Sequence, residues 1–479
     1  MSALTSWAYR FEPCILAAAE GGESADGTVV LAGVLLSLIA VYLASKAGGE
    51  LCARLNLPSV LGELLGGVVV GVSALQVLVF PEAGASAQDS LIMRLLAATT
   101  DLDLADADAA FAAQSEVITI LSELGVVILL FEIGLESDLK ELLRVGPQAA
   151  LVAIVGVVAP FAGGTAGLFY LFDVPAIPAI FAGAALTATS IGITAKVLAE
   201  LGQLNAQEGR IIIGAAVLDD ILGVIILAVV ASLIKTGDVQ VGNIVYLVAS
   251  AGVFLVGAIL LGRLLSPYFV SLVDEMNTRG QLLLMSLVVA FGLAYVATAI
   301  QLEALLGAFA AGLILAETEK RQPLEEQIVP VADVFVPVFF VCVGAKTDLS
   351  VLNPAVPSNR EGLILAAFLI LVAILGKAIA GYAIVGQPET DKLAIGIGMV
   401  PRGEVGLVFA GIGSSSGALS ESTDVAIVVM VIVTTFIAPP LLRLVFPQAP
   451  AEAAEAEQAA PSPAAPTAES EETAQQDRK

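Results

Sequence analysis

Two adjacent aspartates, Asp219 and Asp220, stand halfway along an apolar run over 209–234, and Lys377 sits inside another such run in Gly376-Lys377-Ala378. An ionisable group at the centre of a bilayer costs at least about 2.5–3.5 kcal/mol, and groups that persist there usually line a pathway or pair with one another. Neighbouring helical residues point about 100° apart, so the two carboxylates cannot share one task. One can face a water-filled cavity while the other turns into the protein. A lone ammonium in the same medium needs a counter-charge, and a carboxylate is the expected partner. A partly dehydrated carboxylate can hold either a proton or a small hard cation, and competition for one such site yields exchange.

Two further runs carry residues poorly suited to a plain lipid-facing helix. The run 177–199 contains Thr187-Ala188-Thr189-Ser190-Ile191-Gly192-Ile193-Thr194, and the run 391–416 holds Gly396, Gly398, Pro401, Gly403 and Gly406 around Arg402 and Glu404. Proline there removes a backbone donor and favours a break. Each interrupted run is the second in a group of three, which is the arrangement of an inverted-repeat transporter. Broken helices leave opposite dipole ends near the midplane, where Arg402, Glu404 and Glu132 are the expected compensating charges. Glu63, in Leu61-Gly62-Glu63-Leu64, is a weaker candidate for a functional charge, and Glu136 is expected to reach the membrane interface. The hydroxyls of Thr189 or Ser190, with carbonyls freed by the break, would complete an oxygen shell around a monovalent ion at an aspartate.

These residues have to be positioned by a membrane bundle. With 58% hydrophobic and 14% charged residues and a mean hydropathy of +0.93, the chain carries more apolar side chain than a soluble 479-residue protein could bury. Runs near the length of about 20 residues that a bilayer core requires fall at 28–46, 57–80, 116–135, 146–172, 177–199, 209–234, 242–265, 281–300, 302–316, 328–345, 361–386, 391–416 and 424–447. Strand alternation is absent, so an all-α membrane protein of about thirteen transmembrane helices is expected. Cys14, Cys52 and Cys342 have no metal-ligand spacing and imply neither a disulfide nor a zinc site. No enzyme, cofactor or nucleic-acid partner is expected.

Orientation follows Lys and Arg rather than the net charge of −25. Of the 21 basic residues, Lys377 and Arg402 lie inside helices, Arg10, Arg94, Lys235, Lys346 and Arg360 fall on one side, and the others fall on the opposite side. This asymmetry predicts an N-terminus outside and a C-terminus in the cytoplasm. Residues 1–27 then form an extracytoplasmic tail rather than a signal peptide, and the Ala-, Pro- and Glu-rich 448–479 form a disordered acidic cytoplasmic tail.

Taken in order, Leu61-Gly62-Glu63-Leu64, the stretches 131–136 and 187–191, Asp219-Asp220, the stretch 307–312, Pro337-Val338-Phe339-Phe340, Gly376-Lys377 and Pro401-Arg402-Gly403-Glu404 resemble the monovalent cation:proton antiporter-2 family. The likeness is strongest to its sodium/proton exchangers with a paired-aspartate motif, and it covers 28–447. It implies a homodimer formed through the scaffold helices, a scaffold of 28–135 and 281–345, a moving core of 146–234 and 361–447, and a linker helix at 242–265. By the same resemblance Asp220 binds the cation, and Asp219 pairs with Lys377 as salt-bridge partner or proton carrier. The function implied is exchange of Na+ or Li+ for H+, electrogenic and by alternating access, in a bacterial-type plasma membrane or an internal energy-converting one. K+/H+ exchange and sodium-coupled symport of an organic anion are the alternatives. No soluble nucleotide-sensing domain, of the kind that potassium-efflux relatives often carry, is expected after the last helix.

An intramembrane aspartyl protease would need its two aspartates on different helices, and a channel would need a continuous pore with selectivity rings. Lone mid-membrane charges with broken helices instead favour a carrier. Single-cysteine labelling tests the orientation: a cysteine placed near position 460 is expected to react only from inside and one near position 90 only from outside. The reverse pattern overturns the topology.

Overall fold

The computed structural model describes residues 27–81, 85–99, 104–236, 241–384 and 389–446. The tails expected at 1–27 and 448–479 lie outside these residues, apart from Gly27. Among the described residues the chain forms seventeen α-helices and no β-strand. In chain order they are α1 (Gly27–Arg54), α2 (Ser59–Val70), α3 (Leu91–Thr99), α4 (Leu104–Glu136), α5 (Leu139–Arg144), α6 (Gly146–Leu171), α7 (Ala176–Ala185), α8 (Ile191–Glu200) and α9 (Gln207–Thr236), followed by α10 (Val241–Glu275), α11 (Gln281–Ala299), α12 (Ala304–Ala316), α13 (Arg321–Ala345), α14 (Pro357–Tyr382), α15 (Lys392–Gly398), α16 (Glu404–Ser415) and α17 (Glu421–Val445).

Nine of these helices are long and apolar enough to cross a membrane. The short apolar α2 and α12, together with the interrupted pairs α7/α8 and α15/α16, bring the segments to the expected thirteen. At 12 and 13 residues, α2 and α12 fall short of a span. They are tolerated because much of each is sheathed by other helices, α12 being buried from Leu306 to Leu315.

Several boundaries differ from the sequence reading. The run 57–80 is helical only to Val70; the chain turns through Gln76 at φ 53°, and the amides of Val77 and Leu78 donate back to Val70 O at 2.9 and 2.8 Å. Leu78, Val79 and Phe80 are buried without being helical. Helix α4 starts at Leu104 rather than 116, α13 starts at Arg321 rather than 328, and α10 continues to Glu275 rather than 265. An apolar-run criterion stops at the first charges, whereas backbone hydrogen bonding continues through a helix end that reaches water. The eighth and ninth segments separate at 300–303, where Gln301 adopts φ 67°.

The helices pack as two groups. In the first, α4 packs on α12, α13 and α1, α2 packs on α1 and α13, and α11 packs on α12. In the second, α14 packs on α17, α6 and α15, α6 packs on α9 and α7, and α16 packs on α7 and α17, while α10 bridges α9 and α12. Without a hydrophobic drive between helices in lipid, close backbone approach at small residues holds such contacts. A Cβ on Gly312 of α12 would run into Phe131 O of α4, and one on Gly134 of α4 would run into Phe309 O of α12. Gly48 and Gly62 bring α1 and α2 together in the same way, as do Gly67 and Gly344 for α2 and α13.

Gly312→Val is therefore expected to cost about 1–3 kcal/mol of overpacking and to lower the unfolding temperature in detergent by several degrees. Gly252→Val, at a glycine of α10 with open space around its Cβ position, is the matched control and is expected to leave that temperature unchanged.

Candidate cation site at the helix crossing

The two interruptions satisfy each other. After Ala185 the chain leaves helix until Ile191, and after Gly398 it leaves helix until Glu404. The Ser190 amide donates to Pro401 O at 2.8 Å. Thr189 Oγ1 donates to Met399 O at 3.0 Å and Thr194 Oγ1 to Gly398 O at 2.9 Å. Two hydroxyls of one broken segment thus cap the carbonyl end of the other. Thr435 Oγ1 of α17 donates to Arg402 O and anchors the second break to the last helix.

Both α7 and α15 present their C-terminal, electronegative ends to this crossing, and two buried cations meet α7's end. Arg402 Nη1 donates to Thr187 O at 3.0 Å and to Ala188 O at 2.5 Å. Lys377 Nζ also donates to Thr187 O, at 2.9 Å. The same ammonium lies 3.3 and 3.2 Å from Asp219 Oδ1 and Oδ2, and both of these side chains are fully buried. Helix α6 leaves room for the ammonium because it passes with Gly156, where a Cβ would lie 3.4 Å from Nζ.

Asp220, one residue along α9, is half-buried and turned elsewhere. It lines a narrow cleft, with Thr189, Ser190, Ile191, Gly403 and Val405 among its walls. Those residues lie at or next to the N-terminal, electropositive ends of α8 and α16. The two ends approach closely because position 403 has no side chain; a Cβ there would lie 2.8 Å from Ser190 Oγ. Among the described residues no group of three His, Cys, Asp or Glu is arranged to hold a metal.

The other sequence candidates are spread more widely. Glu404 opens α16, and its side chain lies outside the described residues. Glu132 is not brought to the crossing: the charges around it are Lys196, Glu136 and Asp333, so of the described compensating candidates Arg402 is the one that meets a half-helix end. Glu63 accepts from Ser45 Oγ at 3.0 Å. Glu136 is the last residue of α4, and its carbonyl receives Arg321 Nη2 at 2.7 Å. Sequence reasoning missed Glu303, which lines the Asp220 cleft from the other helix group. It also assigned no role to Thr194 or to the carbonyls of Gly398 and Met399. Thr194 stood in the polar run already singled out, whereas Glu303 sits at an ordinary junction between apolar runs and carries no local signal.

The chain is similar to several known proteins. The chain is 68% identical over 440 residues to the high-affinity Na+/H+ antiporter NhaS3 of Synechocystis sp., covering 92% of this chain and 95% of that protein. It is 34% identical over 411 residues to the Na+/H+-K+ antiporter GerN of Bacillus cereus, covering 85% and 94%. The fold matches the structure of the sodium proton antiporter MjNhaP1 from Methanocaldococcus jannaschii with a TM-score of 0.60 at 17% identity, over 87% of this chain and 97% of that one. The model of the transmembrane sodium/hydrogen exchanger family matches residues 28–446. A multi-pass helical membrane protein with two mutually capped broken helices and two adjacent aspartates midway along a membrane-spanning helix, this chain belongs to the transmembrane sodium/hydrogen exchanger family.

Proposed function

We propose that the chain is a secondary active antiporter that exchanges Na+ or Li+ for H+ by alternating access, with Asp220 as the shared binding group. The observation that carries this reading is the division of labour between neighbours: Asp219 is committed to Lys377 at 3.2 Å, while Asp220 lines a cleft at two helix N-termini. Thr189 and Ser190 are the neutral oxygen donors. The first helix group with α11 to α13 serves as scaffold and dimer surface, and α6 to α9 with α14 to α17 serve as the moving core. The basic-residue asymmetry supports an N-terminus outside and a C-terminus in the cytoplasm of a bacterial-type plasma membrane. The chain contains no His, so its pH response arises from carboxylates, the lysine and water. A K+/H+ reading is favoured by one observation, the likeness to an Na+/H+-K+ antiporter at 34% identity.

The exchange stoichiometry follows from Lys377. Sodium at Asp220 would disturb the Asp219–Lys377 pair and let the lysine release a proton. With the proton displaced from Asp220, this makes two protons per sodium ion. Each cycle would then move one net charge, for which 100 mV is worth about 2.3 kcal/mol.

In proteoliposomes with an imposed pH gradient, Na+ or Li+ is expected to dequench a pH dye more effectively than K+. Asp220→Asn is expected to abolish that response without lowering the unfolding temperature; near-normal exchange by this variant places the site elsewhere. Thr189→Ala removes one neutral oxygen, a contribution of about 0.5–1.5 kcal/mol, and leaves Met399 O without its hydroxyl donor; it should raise the Michaelis constant for Na+ several-fold and lower the unfolding temperature. The reversal potential of sodium flux is expected to shift with imposed voltage in the wild type and to become voltage-independent in Lys377→Gln. A wild-type reversal point independent of voltage rules out electrogenic exchange.

A further inference from the structure

The cleft that reaches Asp220 has walls from both helix groups. Its second-group wall is the crossing itself; its first-group wall is Glu303 and Leu305, at the start of α12. The position of Glu303 is set by a defined turn. Gln301 takes up φ 67°, its amide donates to Thr298 O at 3.0 Å, and the Leu302 amide donates to Ala297 O at 2.9 Å. Leu302, 6% exposed, pins the turn into the protein. Glu303 then stands at the start of α12. Its side chain is exposed and lines the cleft.

Elsewhere at the crossing the two helix groups meet in apolar packing. Gly192, in the first turn of α8, lies against Val126 and Leu129 of α4 and Phe339 of α13, at 3.5–3.7 Å from its Cβ position. The cleft at Asp220 is thus edged by Glu303, at the α11–α12 junction, whereas the packing at Gly192 is apolar.

We propose that Glu303 recruits the cation at this entrance, setting the apparent affinity for Na+ on that side of the membrane alone while remaining outside the proton-exchanging site. The inference rests on the reading of Asp220 as the carrier site. A negative charge in a cleft with low-dielectric walls raises the local concentration of cations, and the effect weakens with ionic strength. Because Glu303 and Asp220 belong to different helix groups, the two separate when one group moves against the other. The recruiting charge is then left behind when the site opens to the other side.

The test measures Na+ dependence of exchange in right-side-out and in everted vesicles for the wild type, Glu303→Gln, Glu303→Asp and Asp220→Asn. Glu303→Gln is expected to raise the Michaelis constant for Na+ about threefold to tenfold in one vesicle orientation only. Its maximal rate should stay within about twofold, and its deficit should shrink when choline chloride is added to about 0.3 M, where the Debye length falls below about 8 Å. Glu303→Asp, which keeps the charge, should restore most of the wild-type value. An unchanged Michaelis constant on both sides, an equal rise on both, or a loss of maximal rate in folded Glu303→Gln each overturns the inference. If Asp220→Asn is inactive while Glu303→Gln behaves as wild type, only this inference fails; if Asp220→Asn still exchanges, the reading of the carrier site fails with it.

Discussion

Everything at the centre of this protein depends on cancelling the carbonyl ends of two half-helices that meet away from water. Each helix end is equivalent to about half an elementary charge, so the C-termini of α7 and α15 together amount to about one negative charge. The buried side chains nearest them, Lys377, Arg402 and Asp219, sum to one positive charge when all three are ionised. The hydroxyls of Thr189 and Thr194 take up carbonyls that no cation reaches. If any of these partners were lost, orphaned carbonyls or an unpaired buried charge would remain, and either is far more costly in this medium than in water.

The electropositive side of the crossing has the complementary balance. The N-termini of α8 and α16 contribute about one positive charge between them, and Asp220 lines the same cleft. An ionised Asp220 offsets that charge, and Glu303 adds a further negative charge to the same cleft. A proton and a sodium ion each add one positive charge to it, so the surroundings treat them as alternatives. On the proposed reading, competition follows from charge and space at one carboxylate, with Thr189 and Ser190 as the oxygens that would distinguish a cation from a proton.

The two helix groups are built differently. In the first, glycine contacts bring backbones together at α1–α2, α2–α13 and α4–α12, which resists internal rearrangement. The second contains both breaks and the buried charges. Between the groups the packing includes the apolar patch at Gly192 and a polar tie, in which Glu200 of α8 accepts from the Ser59 amide at 2.9 Å and the Ser59 hydroxyl at 2.5 Å. Contacts of this kind can be exchanged without disturbing either interior, which is what alternating access requires of a boundary.

The sequence by itself determined the membrane class, the thirteen segments, the two breaks and the buried Asp219, Lys377 and Arg402, because hydropathy, proline and glycine act locally and intramembrane charge is costly wherever it falls. It also determined that Asp219 and Asp220 must diverge, since a helix turns about 100° per residue. Only the tertiary structure decided which of them faces Lys377, a residue 158 positions away. The same holds for Thr187 O receiving both cations, for Thr189 and Thr194 reaching carbonyls more than 200 positions distant, and for Glu303 entering the Asp220 cleft. Glu132 and Glu303 make the contrast plain: both are glutamates within apolar runs, and position in the bundle alone sends one towards Lys196 and the other to the Asp220 cleft. Partners of buried polar groups are chosen by how helices pack, and packing brings together residues whose separation along the chain leaves no periodic trace.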